Sequence, residues 1–339
     1  MGNNYINELL QRVDKINKMA NNTEKVESIF RFSSYCSFLY YRGDISQKEF
    51  IYAIDSIAED TEEVLFFRDR EKTLNEIIDN NDLINDYYKK YIEIYNNNFI
   101  PIDRGLVIEK NIYKTFREFL KYMGCENLYY GLLAKKKISF KSILDHSICI
   151  NDRYDSYIVV SEKNNFDRYF SMSHEIAHAY ENRIMCNDKS YFESIYNSEI
   201  LSILFNRIFK EFIINKKLLN EEEMNLINMK FEANYYNFLL QAIFITEIVL
   251  TGKYKIMDYD LNMKIKNISI NCNLTDHNYA IGSIISLNLL NEWRKNDRLF
   301  IQRLPDTIKE IRNMSLSELL KNFDNENVFE DEVKRLIIK

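Results

Sequence analysis

The scarcity of glycine and proline is the feature that most restricts how this chain can fold. The 339 residues include only 7 Gly and 2 Pro. Because these two residue types end helices and form tight turns, their scarcity favours long helices with short connections over a turn-rich sandwich or barrel. Apolar residues also recur at helical spacing near the start of the chain, at Leu9, Val13 and Ile16. The sequence therefore predicts a mainly α protein.

Polar residues that can cap helices mark several predicted boundaries. Asp44 or Ser46 is expected to begin one helix, and further helices are expected at about 64–77 and 107–123. Nearer the C-terminus, Pro305 and Ser315 are expected at joints between helices.

The pattern of residues changes near position 138. The runs Ile148-Cys149-Ile150 and Tyr157-Ile158-Val159-Val160 are rich in β-branched and aromatic residues, and the polar segment 151–155 separates them. Two such runs around a polar connection are typical of a β-hairpin. We therefore expect a small β-hairpin or sheet directly upstream of the helix described next.

The segment His174-Glu175-Ile176-Ala177-His178 is an H-E-x-x-H pattern and contains two of the four histidines in the chain. On a helix, residues four apart point the same way, so the two imidazoles can bind one metal ion. The Glu between them can act as a general base toward a water molecule at that ion. We expect one zinc ion per chain, held by His174 and His178, on a helix that begins near Asp167 as N-cap.

A third zinc ligand must come from another position, because a catalytic zinc usually takes three protein ligands. The downstream candidates are Glu181, Glu193 and Glu199. Glu181 follows His178 by one turn on the same helix, where the geometry favours pointing away from the metal. Glu199 falls inside a predicted second helix at about 191–215, and an antiparallel packing would return it over the first helix. We expect Glu199 to be the ligand, with Glu193 as the alternative.

A hydrolase that attacks a carbonyl also needs a hydrogen-bond donor for the developing oxyanion, commonly Tyr or His. The stretch Asp276-His277-Asn278-Tyr279-Ala280-Ile281-Gly282 offers both types, so His277 and Tyr279 are candidate catalytic residues beside Glu175. The pattern also predicts a third helix at about 221–250, a loop-rich passage at 253–276, and helix again from Tyr279 to Lys295.

Composition excludes several classes of partner. The net charge is −6, so the chain lacks the basic surplus that neutralises phosphates, and we expect no nucleic-acid partner. The most apolar window, 235–250, is too short and too polar to span a bilayer, so we expect a buried core helix and no membrane partner. Five scattered cysteines and no recognisable leader favour a reducing, cytoplasmic compartment. The sequence is compatible with an oligomer.

The zinc-site segments resemble those of the oligoendopeptidase F branch of the thimet oligopeptidase family. Residues 170–179 (FSMSHEIAHA) are similar to its T-x-x-H-E-x-G-H-A segment, residues 198–206 (SEILSILFN) to its A-E-[IV]-x-S-x-x-N-E region, and residues 277–282 (HNYAIG) to its Y-x-Y-A-x-G segment. The resemblance runs from about 157 to the C-terminus. It implies a helical zinc peptidase with a substrate cleft, which cleaves short, unstructured peptides. It also implies Glu199 as the third ligand and His277 and Tyr279 as transition-state donors.

The sequence departs from that family pattern at several positions. Ala177 replaces the usual Gly, Glu181 stands where a third His often occurs, and Arg207 replaces the Glu after Asn206. Ser286 lies where the thimet branch has a second tyrosine. The chain is also shorter than typical members, and its first 140 residues do not match them. We therefore divide it into an N-terminal helical region, 1–137, and a zinc peptidase catalytic region, 138–339.

Two alternatives to a general oligopeptidase follow from these differences. The unmatched N-terminal region would suit a dedicated processing protease with one narrow protein or peptide substrate. The departures around the motif would suit a non-catalytic helical binding module. A peptide substrate is the expected partner in both enzymatic interpretations.

Overall fold

The computed structural model describes residues 3–20, 23–57, 79–98, 108, 110–144, 146–152, 155–161, 164–186, 198–251 and 264–337. Its described part is mainly helical with one small sheet, which confirms the predicted fold class. The helices are α1 (Asn3–Asn17), α2 (Thr23–Tyr41), α3 (Gln47–Asp55), α4 (Asn81–Asn98), α5 (Tyr113–Tyr122), α6 (Glu126–Ala134), α7 (Asn165–Met185), α8 (Ile200–Asn215), α9 (Glu221–Thr251), α10 (Lys264–Lys295), α11 (Asp297–Asn313), α12 (Leu316–Asn322) and α13 (Glu326–Ile337). The strands are β1 (Ile138–Ser139), β2 (Ile148–Asn151) and β3 (Ser156–Val159).

Local sequence signals set several helix ends. Ser46 and Ser315 form capping boxes at the starts of α3 and α12. Ser46, one of the two predicted N-caps of its helix, is therefore confirmed, and so is the joint predicted at Ser315. Gly124 ends α5 with φ +71, a backbone conformation that glycine adopts without steric cost. The prediction for Pro305 was wrong, because this residue lies inside α11 rather than at a joint. The helix predicted at about 64–77 falls outside the described residues.

The three strands form one sheet in the order β1-β3-β2. β2 and β3 are antiparallel, with Ile148 opposite Val159 and Asn151 opposite Ser156, which confirms the predicted hairpin. β1 pairs in parallel with β3, so the central strand is bonded on both edges. All four residues of β3 are buried, as expected for a central strand that packs against helices.

The chain forms two compact units. The first contains residues 1–66 and 108–191, and therefore α1–α3, α5–α7 and the sheet. Here α1, α2 and α3 pack around a core that includes Leu9, Phe32 and Leu39. In the same unit α2 also packs against the sheet, and the ring centroids of Phe38 and Tyr157 are 5.2 Å apart. Helix α7 packs on β2 and β3.

The second unit contains residues 67–107 and 192–339, and therefore α4 and α8–α13. Helix α10 packs against both α8 and α9. Every residue of α8 from Ile200 to Lys210 is buried, as expected for a helix surrounded by others. The predicted division into an N-terminal helical region, 1–137, and a catalytic region, 138–339, stays a prediction.

The predictions for two segments of the second unit had different outcomes: one was confirmed and the other was wrong. The third helix was expected at 221–250, and α9 at Glu221–Thr251 confirms it. The passage 253–276 was expected to be loop-rich, but α10 already begins at Lys264. Residues 264–276 contain no Gly or Pro to end a helix, which agrees with the earlier start of α10. No described helix is both long and apolar enough to cross a membrane.

Candidate metal centre

Helix α7 carries the H-E-x-x-H pattern, and its start is fixed by Asn164. The Oδ1 atom of Asn164 accepts a hydrogen bond from the backbone N–H of Asp167 at 2.8 Å, which makes Asn164 the N-cap. The predicted N-cap, Asp167, was therefore wrong by three residues. Its carboxylate lies in the first turn instead, where the helix dipole favours negative charge.

The two motif histidines face each other across one turn of α7. Their Nε2 atoms are 3.2 Å apart and their ring centroids 4.9 Å apart. Two ligands at about 2.05 Å from a tetrahedral zinc ion lie about 3.3 Å from each other. The two side chains are half-buried, so ligand nitrogens are available on a face that is not sealed by the core. The spacing of His174 and His178 thus suits one shared zinc ion.

Side-chain amides fasten α7 to the hairpin. Asn182 is buried and donates from Nδ2 to the carbonyl oxygens of Asp152 at 2.8 Å and Asp155 at 3.1 Å. Asn151 donates from Nδ2 to the carbonyl oxygen of His178 at 3.4 Å. These contacts fix the position of α7 along the strands. Sequence reasoning missed both asparagines, because nothing local distinguishes an Asn that joins two elements from one in a loop.

Glu175, the candidate general base, is buried and only 5% exposed. Glu181, one turn beyond His178, is buried as well. Acidic side chains are rarely buried unless they are paired or serve a function. Helix α7 therefore carries two buried carboxylates close to its paired histidines.

Glu199, the expected third ligand, lies at the N-cap position of α8. We expected it inside a helix from about 191, but α8 begins only at Ile200, and residues 187–197 lie outside the described part of the chain. The hydroxyl of Ser202 is 2.8 Å from the Oε2 atom of Glu199. The alternative ligand, Glu193, is not among the described residues.

The candidate ligands are the imidazole nitrogens of His174 and His178 in the first unit and a carboxylate oxygen of Glu199 in the second unit. Two imidazole nitrogens and one carboxylate oxygen form a donor set that catalytic zinc commonly uses. The chemistry of the donors and the spacing of the two histidines therefore fit zinc. Three protein ligands leave one position for water or substrate.

The two candidate oxyanion donors lie near one another on α10. His277 is 1% exposed, its Nδ1 atom is 3.0 Å from the hydroxyl of Tyr88, and the two rings stack. Burial lowers the pKa of His277 to about 4, because the charged imidazolium loses its hydration. Tyr279 is half-buried and its ring stacks on Phe238 at 4.4 Å. Their part in catalysis stays a prediction.

Two positions that depart from the family pattern contact each other. Arg207 donates from Nε to the hydroxyl of Ser286 at 3.1 Å, and its Nη1 atom is 2.8 Å from Glu232. Its guanidinium also lies over the ring of Tyr235, 4.6 Å from the centroid. These contacts join α8, α9 and α10 in the second unit.

No protein-family model and no curated protein matched the chain. A search of solved structures found similarity to the crystal structure of a candidate oligoendopeptidase F from Bacillus anthracis str. Ames, with 13% identity and a TM-score of 0.46. The match covers 93% of this chain, which spans 62% of the length of that protein.

Proposed function

We propose that this chain is a zinc-dependent metallopeptidase that hydrolyses peptide bonds in short, unstructured peptides. The observation that carries the proposal is the pair formed by His174 and His178, whose Nε2 atoms are 3.2 Å apart on one face of α7. Glu175, the residue that the H-E-x-x-H chemistry requires as base, stands between the two histidines.

The proposed metal ligands are His174, His178 and Glu199, with one zinc ion per chain. Zinc bound there would polarise the substrate carbonyl and lower the pKa of a water molecule to about 7. The two histidines supply neutral nitrogens, and Glu199 supplies one negative charge. This donor set leaves the centre with a net positive charge, which favours binding of a carbonyl oxygen.

Glu175 is the proposed general base. It takes the proton from the attacking water and later delivers it to the nitrogen of the leaving amine. Its burial keeps competing water away from the carboxylate and strengthens its electrostatic interactions. The same group thus serves both proton transfers that hydrolysis of a peptide bond needs.

His277 and Tyr279 are the proposed donors to the developing oxyanion. Because the pKa of His277 is lowered to about 4, its imidazole is neutral at neutral pH. His277 would therefore contribute a hydrogen bond rather than a positive charge. The hydroxyl of Tyr279 is a second donor of the same kind.

The test compares Glu175→Gln with the wild-type chain by metal analysis and by cleavage of quenched fluorescent peptides. We expect one zinc per chain in both proteins and a loss of about 10²–10⁴-fold in kcat in the variant, the contribution typical of a general base. Glu181→Gln removes a buried carboxylate from the same helix and serves as the control, with zinc and most activity retained. Full activity in Glu175→Gln would overturn the proposal.

A peptide library defines the substrate class. Cleavage of many unrelated short peptides, with folded proteins left intact, is the expected result for the proposed oligopeptidase. Cleavage of a single sequence with all others intact would instead identify a dedicated processing protease. Zinc at one equivalent with no hydrolysis of any peptide would leave only a binding module.

A further inference from the structure

We propose that Ser202 and Gly282 are positioning residues that hold Glu199 in place for the metal. The inference rests on the proposed function, because it takes Glu199 as the third zinc ligand. Ser202 acts on the carboxylate of Glu199, and Gly282 sets the position of its backbone. All three residues belong to the second compact unit.

Gly282 allows α10 to approach the backbone of Glu199. A Cβ atom added at this glycine would lie 3.0 Å from the carbonyl carbon and 3.0 Å from the carbonyl oxygen of Glu199, and 2.9 Å from the Cδ1 atom of Ile203. Contacts this short with backbone atoms require the backbone to move. Glycine within a helix costs stability relative to alanine, so its presence here is explained by the close approach.

Ser202 fixes the side chain of Glu199. Its hydroxyl is 2.8 Å from Oε2 and 3.0 Å from the backbone carbonyl oxygen of Glu199. One hydroxyl proton serves either acceptor, and in both cases the bond joins Ser202 to Glu199. Ser202 is fully buried, so water does not compete for this bond. The bond therefore limits the orientations that the carboxylate can adopt.

A third contact anchors the residue before the ligand. Asn278, one turn before Gly282 on α10, donates from Nδ2 to the hydroxyl of Ser198 at 3.1 Å. Glu199 is therefore fixed from both sides, through Ser198 toward the N-terminus and through Ser202 toward the C-terminus. A metal-binding side chain held in this way loses little conformational freedom when it binds the metal. Mutation of such supporting groups commonly lowers metal affinity by about 10–100-fold.

Zinc affinity, measured by competition with a chromophoric chelator on the full chain, tests the inference. We expect Ser202→Ala and Gly282→Ala to bind zinc about 10–100-fold more weakly than wild type. Ser283→Ala is the matched control for the hydroxyl, because Ser283 is also buried and also donates to a carbonyl three residues earlier. Gly131→Ala is the control for the glycine, because a Cβ atom there meets nothing within 4 Å.

A spectroscopic measurement separates positioning from a general loss of structure. We expect the visible spectrum of the Co²⁺-substituted chain to change in Ser202→Ala and to stay unchanged in Ser283→Ala. We also expect the two variants to have equal thermal stability when they are free of metal. If Gly282→Ala does not fold, the zinc affinity and the Co²⁺ spectrum of Ser202→Ala test the inference by themselves.

The possible failures are distinguishable. Zinc affinities of Ser202→Ala and Gly282→Ala equal to those of their controls would overturn the positioning role while leaving the proposed function intact. Unchanged zinc affinity in Glu199→Ala would instead overturn the ligand assignment in the proposed function, and the positioning role with it.

Discussion

His277 is neutral over most of the pH range because it is almost completely removed from water. Its pKa is lowered to about 4, compared with about 6.5 for an exposed imidazole. Protonation of the folded protein would place an imidazolium against the uncharged ring of Tyr88, with no water to hydrate it. Burial therefore favours the neutral imidazole in the folded state.

This burial makes stability depend on pH. Between pH 6.5 and 4 the unfolded chain binds a proton at His277 and the folded chain does not, so unfolding becomes more favourable as the pH falls. Because of His277, the free energy of unfolding is lower at pH 4 than above pH 6.5 by about 3 kcal/mol. Urea unfolding of the metal-free protein at several pH values measures it. We expect His277→Gln to show a weaker pH dependence in this range, and an unchanged dependence would contradict the assignment.

Helices α8, α9 and α10 enclose a buried ion pair. The side chains of Arg207 and Glu232 are 2% and 1% exposed, and Ser286 and the backbone carbonyl of Ser283 accept further hydrogen bonds from the guanidinium. Lys210 is buried one turn away, and burial lowers its pKa to about 8. Glu232 stabilises the charge of Arg207. If the carboxylate were removed, no water could solvate the buried guanidinium in its place.

We expect Glu232→Ala to destabilise the protein by about 3–5 kcal/mol, since it leaves the charge of Arg207 buried without its carboxylate. The free energy of unfolding in urea measures this loss. Glu8→Ala is the control, because Glu8 pairs with Arg12 on the surface, where the two side chains are 44% and 47% exposed. An exposed pair of this kind contributes below about 1 kcal/mol. Equal losses in the two variants would show that Arg207 is not buried as described.

For the molecule as a whole, the proposed zinc ion links the chemistry of the site to stability. A ligand that binds only the folded state stabilises it by about 4 kcal/mol at a free concentration 1,000 times its dissociation constant. We expect added zinc to raise the melting temperature of the wild-type chain and to have no such effect on His174→Ala. Differential scanning calorimetry with and without a chelator measures the difference. Equal stabilisation of the two proteins would place the zinc elsewhere.

Local structure could be predicted from the sequence where neighbouring residues decide it. The N-cap at Ser46, the joint between helices at Ser315 and the hairpin at β2 and β3 depend on residues a few positions apart, and these predictions are confirmed. The start of α7 was misplaced because Asn164 and Asp167 are both acceptable N-caps. The start of α10 was missed because composition alone separates a polar helix poorly from a loop.

The sequence by itself determined that His174 and His178 would face the same side of one helix, since a spacing of four residues follows from helix geometry. It also determined the mainly helical class, through the scarcity of Gly and Pro. Only the tertiary structure decided which residues distant in sequence contact Glu199 and Arg207. Gly282 and Ser286 are about 80 positions from those residues along the chain. Helix packing creates such contacts, and no local pattern encodes them.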